Sequence, residues 1–517
     1  MSGRDQLAKF QSRRHKSESI DLKHSKAPGH TRPLTFADDR HHEDFMDKLF
    51  PEHRSKRQAV GNFLIETVII LDYPLFLFWS RRNRNNNVAT KQEMVDYYAN
   101  IMEAVNRRYD SVTSAGFTVD IVVNAIIIAE SPLQSPWTQN LNVSNRVDAN
   151  AALDNLEAFL LTTGGVIAGY PYDHAFIITG YDLAIGDRTS TAGIASFTVC
   201  NVRSGSISEN TGSESTAVII AHEIGHALSA LHDGDSNICN GSESFIMAPS
   251  LGVPPRSQAS HPWLFSNCSS DYFTTFLASP SASCMRTVTG SPLNLSPFLV
   301  EPFGQKYPAD VQCEIFLGPG SKFCRDLYTT EERTFDDMCR SMFCDDPSSS
   351  FCFSILAHDG TTCGDRKWCQ LGQCVFSGDA PRTPENCPAG DDPDILCTPS
   401  SCSTPILRDF LCCATCKRIV TEPTVPTRQL TSESVFTVTN AVAAFDTGGP
   451  TTASMMAPPS RRSRRPRSRT TASMFERPRI RKTTASMFER PRMRKTTASM
   501  FNFRRPGGTT ASIFSGR

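Results

Sequence analysis

The spacing of apolar residues changes period several times along this chain, and each change predicts an element. FLIETVIIL, from Phe63 to Leu71, is apolar and β-branched, which predicts a buried strand. In TKQEMVDYYANIMEAVNRRY, Met94, Tyr97, Tyr98, Ile101, Met102 and Val105 recur at helical spacing, the stripe of a helix packed on a sheet. FTVDIVVNAIIIA (117–129), DHAFIITG from Asp173, and AGIASFTVC (192–200) are the next predicted strands, with a second helix in VDANAALDNLEAFLLTTG. Strands alternating with helices predict an α/β fold around a mostly parallel sheet. A further helix, STAVIIAHEIGHALS, follows, with Glu214 or Ser215 as its cap.

Composition then separates the chain into parts. At 517 residues it exceeds one ordinary core, so two or more folded units are expected. The net charge of zero conceals an arginine-dense stretch from 459 to 517 that is nearly free of acid. All 18 cysteines lie at or after Cys200, four up to Cys284, eight from Cys313 to Cys374 and six from Cys387 to Cys416. Even, clustered cysteines point to disulfide modules and an oxidising compartment; zinc binding competes, but CxxC spacing occurs only at Cys413 and Cys416. Secretion is therefore expected, and a nuclear role for the basic tail, with nucleic acid as partner, is not. Residues 1–30 hold no apolar core of a signal peptide, so the leader is expected upstream of them. Ala59 to Trp79 is interrupted by Glu66, Asp72 and Pro74 and falls short of the roughly 20 apolar residues of a membrane span. RSKR, at 54–57, reads as a convertase site with cleavage after Arg57, making 1–57 a propeptide remnant.

The helix after the fourth strand carries the chemistry. His222 and His226 are four residues apart and share a face, so both imidazoles reach one ion. Glu223 is placed to act as a general base beside it. His232 lies too far along to share that face, so a turn at 229–231 is required to bring it back as third ligand. Three histidines with an open fourth position describe a catalytic zinc site.

HEIGHALSALHD resembles the extended zinc signature of the metzincin metalloproteases, and SFIMAPS (244–250) is similar to their methionine turn, with Met247 beneath the metal. Asp233 after the third histidine resembles the adamalysin branch, and YDHAFIITGYDL with AGIASFTVC is similar to the matching segment of the ADAM-with-thrombospondin-motifs proteases (ADAMTS). The resemblance implies a metzincin catalytic domain over 58–287, a linker over 288–306, and a disintegrin-like cysteine-rich domain over 307–376. It further implies a PLAC-like six-cysteine module over 385–417, before a disordered basic repeat tail over 418–517. Among the three pairings open to four cysteines, it selects Cys200 with Cys284 and Cys239 with Cys268. It also implies a structural calcium ion on Glu66 and Asp173, although Thr287 stands where the family has an acid. A second departure is Ser229 in place of the signature's glycine.

The expected function is a secreted, matrix-located zinc endopeptidase acting on extracellular proteins, with substrate extended along AGIASFTVC. The alternative from another class is a matrix-binding glycoprotein that uses the protease fold as an adhesive scaffold. Sequons at Asn142, Asn240 and Asn267 fit a secreted glycoprotein. TTASMFERPRIRK (470–482) recurs with period 13; its arginine clusters are expected to hold sulfated glycosaminoglycans.

Overall fold

The computed structural model of the chain describes residues 34–36, 61–417 except 197, 329–332, 350 and 385, and 442–443. The RSKR site, the leader before residue 34 and the repeat tail lie outside them. A short strand β1 (Leu34–Phe36) precedes β2 (Gly61–Leu71), the predicted buried strand. Next come helices α1 (Tyr73–Arg82) and α2 (Asn87–Tyr109), then strand β3 (Phe117–Ile128). Helix α3 (Ala149–Thr163) leads to β4 (His174–Thr179), β5 (Asp182–Ile185), β6 (Arg188–Ser196) and β7 (Gly205–Glu209). The helix with the histidines is α4 (Ser215–Ala227), followed by β8 (Ser250–Leu251) and α5 (Asn267–Leu277).

Across the main sheet the order is β8, β1, β6, β7, β4, β2, β3 and the pair Val442–Ala443. β7, β4, β2 and β3 run parallel, whereas β6 is antiparallel to β7 and forms the rim toward β1. Alternation along β2 sends Phe63, Ile65, Ile69 and Leu71 to one face, where α2, α4 and α5 cover them. Val68 and Ile70 face the other way, under α3. Thr67 pairs with Val123 and Val68 with Ala125, so Asn124 is the extra residue of a bulge in β3, turned toward Glu66.

Two expectations need correction. The strand predicted at 192–200 spans Arg188–Ser196; Val199 is apolar because it is buried in the core, and Cys200, at φ +69°, is held by its disulfide. At Asp72 and Pro74, where the apolar run is interrupted, α1 begins, because proline fits the first helical turn, whose N–H groups lack helix partners anyway. Residues 288–306, expected as a linker, pack on the sheet: the Leu293 amide donates to Val123 O, Phe298 O accepts from Asn100, and Phe303 enters the core.

All eighteen cysteines pair, and no disulfide crosses the three sequence blocks. Cys200–Cys284 closes an 84-residue separation, a constraint worth about 4.5 kcal/mol in the chain-entropy model. The eight-cysteine region docks on the domain of the main sheet through Arg256–Asp337, Arg82–Glu314 and a buried contact between Glu214 and His358. The six-cysteine module is fixed in turn by Arg325, which donates to Gly390 O, Ala389 O and Asp391 O. Among the described residues no helix is long and apolar enough to cross a membrane.

Candidate metal centre and peptide groove

Small and apolar residues, STAVIIAHEIGHA, let α4 lie in the core with almost every residue from Thr216 to Ala227 buried. Tyr109 fixes its middle, donating from its hydroxyl to Ala221 O at 2.9 Å. Glu214 occupies the N-cap position without capping: its side chain makes no cap hydrogen bond and binds Arg108 and His358 instead. The helix stops at Ala227, Ser229 adopts φ +72°, and the Ala230 amide donates to Gly225 O, so the chain turns back. A non-glycine residue in this left-handed conformation costs roughly 1–2 kcal/mol, and the Ser229 hydroxyl is buried without a hydrogen-bond partner. The turn required between the second and third histidines is thus present, with local strain.

The turn brings His222, His226 and His232 together, each at most 5 % exposed. Their Nδ1 atoms face oxygens that can only accept: Ile246 O at 2.6 Å, Ala230 O at 2.8 Å and Asp235 Oδ2 at 3.1 Å. Each Nδ1 therefore carries the hydrogen, which leaves the Nε2 lone pairs pointing at one another, 3.0, 3.2 and 3.2 Å apart. Burial and the neighbouring imidazoles push His222 far below the ordinary 6.5 and His226 down to about 3, so neither is protonated at neutral pH. Three converging lone pairs repel unless a cation lies among them, and three imidazole nitrogens suit zinc. The donor set fits the ion.

Met247 is fully buried against α4; a Cβ on Gly225 would lie 2.5 Å from its Sδ. Asp233 closes the floor: its Oδ1 accepts from the Ser266 hydroxyl at 2.6 Å and its amide donates to Met247 O at 2.8 Å. Opposite, β6 passes so near that a Cβ on Gly193 would sit 2.3 Å from Glu223 Oε1. Glycine inside an apolar strand pattern signals such a backbone approach, and the sequence reading did not draw on it.

Residues 64–288 match the Reprolysin (M12B) family zinc metalloprotease profile, and residues 303–375 match ADAMTS cysteine-rich domain 2. Over these residues the chain belongs to the ADAMTS-type reprolysin metalloproteases. Mouse "A disintegrin and metalloproteinase with thrombospondin motifs 18" is 28% identical over 335 residues, 63% of this chain and 24% of that protein. The human protein with thrombospondin motifs 6 is 29% identical over 355 residues, 64% of this chain and 28% of that protein. The chain thus spans about a quarter of the length of the curated relatives it matches. A zinc-dependent peptidase crystal structure from Methanocorpusculum labreanum aligns with 40% of this chain and 99% of its own at 14% identity, with a TM-score of 0.23, too weak a superposition to bear on the fold. The eight-cysteine stretch lies within the ADAMTS cysteine-rich domain 2 match.

The remaining sites divide. Cys200 pairs with Cys284 and Cys239 with Cys268. Asn240 and Asn267 are exposed beside the two ends of the second bridge, while Asn142 is half-buried with its Oδ1 covered. Glu66 and Asp173, expected to hold calcium, meet protein donors. Glu66 Oε1 accepts from Asn124 Nδ2 at 2.9 Å and the Gly290 amide at 2.6 Å, and Oε2 from the Thr289 amide and hydroxyl, both at 2.7 Å. Although burial opposes it, these donors hold the Glu66 carboxyl below its ordinary value. Asp173 accepts the Glu66 amide, and burial raises it to about 6. Calcium requires six to eight oxygen ligands, and N–H and O–H groups fill this position instead.

Proposed function

We propose that this reprolysin is a secreted endopeptidase that hydrolyses extracellular protein chains. The observation that carries the reading is the convergence of three Nε2 atoms beside a carboxylate and a sheet rim. His222, His226 and His232 would hold zinc, which when bound supplies a Lewis acid and an acidified water. Glu223 is the candidate base. Its carboxylate takes a proton from the attacking water and returns it to the departing amine, a transfer worth 10²–10⁴-fold in rate. Gly193 lets β6 run flush against that carboxylate, so a peptide lying extended along the rim would present a carbonyl there by backbone pairing. Nine disulfides with no free thiol support an oxidising compartment. The adhesive-scaffold alternative has no use for a carboxylate beside the histidines.

Glu223→Ala tests the reading. Zinc content should match that of the parent chain while peptide hydrolysis falls by at least 10²-fold; a variant as active as the parent removes Glu223 from the chemistry. The arginine-rich tail, outside the described residues, adds glycosaminoglycan binding to the proposal. A chain ending at Lys417 should leave a heparin column at lower salt than the full chain, and equal elution withdraws that part.

A further inference from the structure

The three histidines are not held alike. His222 and His226 lie on α4, and their Nδ1–H groups donate to backbone carbonyls, Ile246 O and Ala230 O, which no side-chain substitution removes. His232 lies beyond the turn, on no helix or strand, and its Nδ1–H donates to a side chain, Asp235 Oδ2, at 3.1 Å. Asp235 is thus the one carboxylate among the three partners. Its side chain is 56 % exposed, while the imidazole it meets is buried.

The loop after His232 is shaped to bring that carboxylate back. Gly234 adopts φ +95° and Ser236 φ +54°, and the Asp235 amide donates to His232 O at 3.1 Å, which closes a tight turn. Asn237 ties the turn from inside. Its Nδ2 donates to His232 O at 2.7 Å and to Asp235 O at 3.0 Å, while its Oδ1 accepts from the Gly234 amide at 3.0 Å and the Cys239 amide at 3.1 Å. Cys239 then joins Cys268 on α5, which fixes the far end of the loop to a core helix.

An imidazole that binds a metal through Nε2 is oriented by whatever accepts from its Nδ1, and an anionic acceptor also makes Nε2 the stronger donor. We propose that Asp235 is the positioning residue of this metal centre: it sets the angle and the basicity of His232, and through them the affinity for zinc. This rests on the reading of the histidines as zinc ligands and adds the residue that tunes them. Losing such a partner weakens metal binding by roughly 10–100-fold. Because Asp235 is more than half exposed, water screens its charge, and the expected loss is about tenfold, at the lower end of that range.

The test measures zinc affinity in the full chain by competition with a chromophoric chelator, beside the Tm of the same chain stripped of metal. Asp235→Ala should raise the zinc dissociation constant about tenfold and leave the metal-free Tm unchanged. Asp235→Asn keeps an accepting oxygen without the charge and should fall between that variant and the parent. In the chain beginning at Gln58, left by cleavage after Arg57, Asp235→Ala at saturating zinc should hydrolyse peptide with the parent KM, because Asp235 acts through His232 and touches no substrate. The proposal is overturned if Asp235→Ala binds zinc as tightly as the parent, if affinity and metal-free Tm fall together with no recovery in Asp235→Asn, or if KM rises at saturating zinc. Should Asp235→Ala not be secreted, Asp235→Asn decides, and an affinity equal to the parent's overturns the proposal. A parent chain that binds no zinc removes the metal reading and this proposal with it. An inactive Gln58 chain that does bind zinc sinks the peptidase reading alone, and the affinities still decide the role of Asp235.

Discussion

At its N-terminal end α4 meets Arg108, Glu214 and His358; at its C-terminal end it carries His222 and His226 and meets His232. Both trios are at most 5 % exposed, so burial does not distinguish them. Charge and lone-pair direction do. At the first, Glu214 Oε1 lies 2.9 Å from the Arg108 guanidinium and Oε2 accepts from His358 Nδ1 at 2.9 Å. Arg108 also donates to Ala104 O and Pro262 O and lies over the Trp263 ring. Positive and negative charge cancel within the protein, and the cluster joins the catalytic part to the cysteine-rich domain. At the second end three acceptor nitrogens face inward, which only an added cation resolves. A buried group of titratable residues is thus a candidate site when its chemistry is incomplete without a ligand, and a fastening when it is complete.

Replacing a member of the self-contained trio breaks the comparison most sharply. Glu214→Gln leaves the Arg108 guanidinium buried without its counter-charge and should destabilise the fold by about 3–5 kcal/mol, measured by denaturant unfolding of the Gln58 chain. A loss under 1 kcal/mol would mean that the trio is not what fastens the two domains. Activity lost without a stability change would place Glu214 among the catalytic groups instead.

The two ends also differ in how far the sequence revealed them. His222 and His226 were legible because four residues is a helical repeat, and His232 because the third-ligand requirement forced a turn. Arg108, Glu214 and His358 are spread over 250 positions and meet only through tertiary packing, so no local pattern announces them. Similar reasons explain the other differences. β7, GSISE, is missed because its serines are buried by sheet neighbours rather than by apolar alternation. Glu66 and Asp173 could be placed near one another by resemblance, but the amides of Thr289 and Gly290 that complete Glu66 lie more than 220 residues away.

A smaller effect sharpens the comparison at the histidine end. Ser229 is in a left-handed conformation with its hydroxyl buried and unpaired, so Ser229→Gly should stabilise the chain by about 1–2 kcal/mol, read as a raised Tm. No gain in Tm would show that the turn between His226 and His232 is not strained.

The central claim is that the three histidines form a site completed by zinc, and that this site performs peptide hydrolysis. Its most direct test is to strip metal from the Gln58 chain with a chelator and add zinc back stepwise while following hydrolysis of a fluorogenic peptide. The account predicts negligible hydrolysis at zero metal and a linear rise that breaks at one zinc per chain, with His226→Ala showing neither. Undiminished hydrolysis by the metal-free chain, or a break unchanged by His226→Ala, would contradict it.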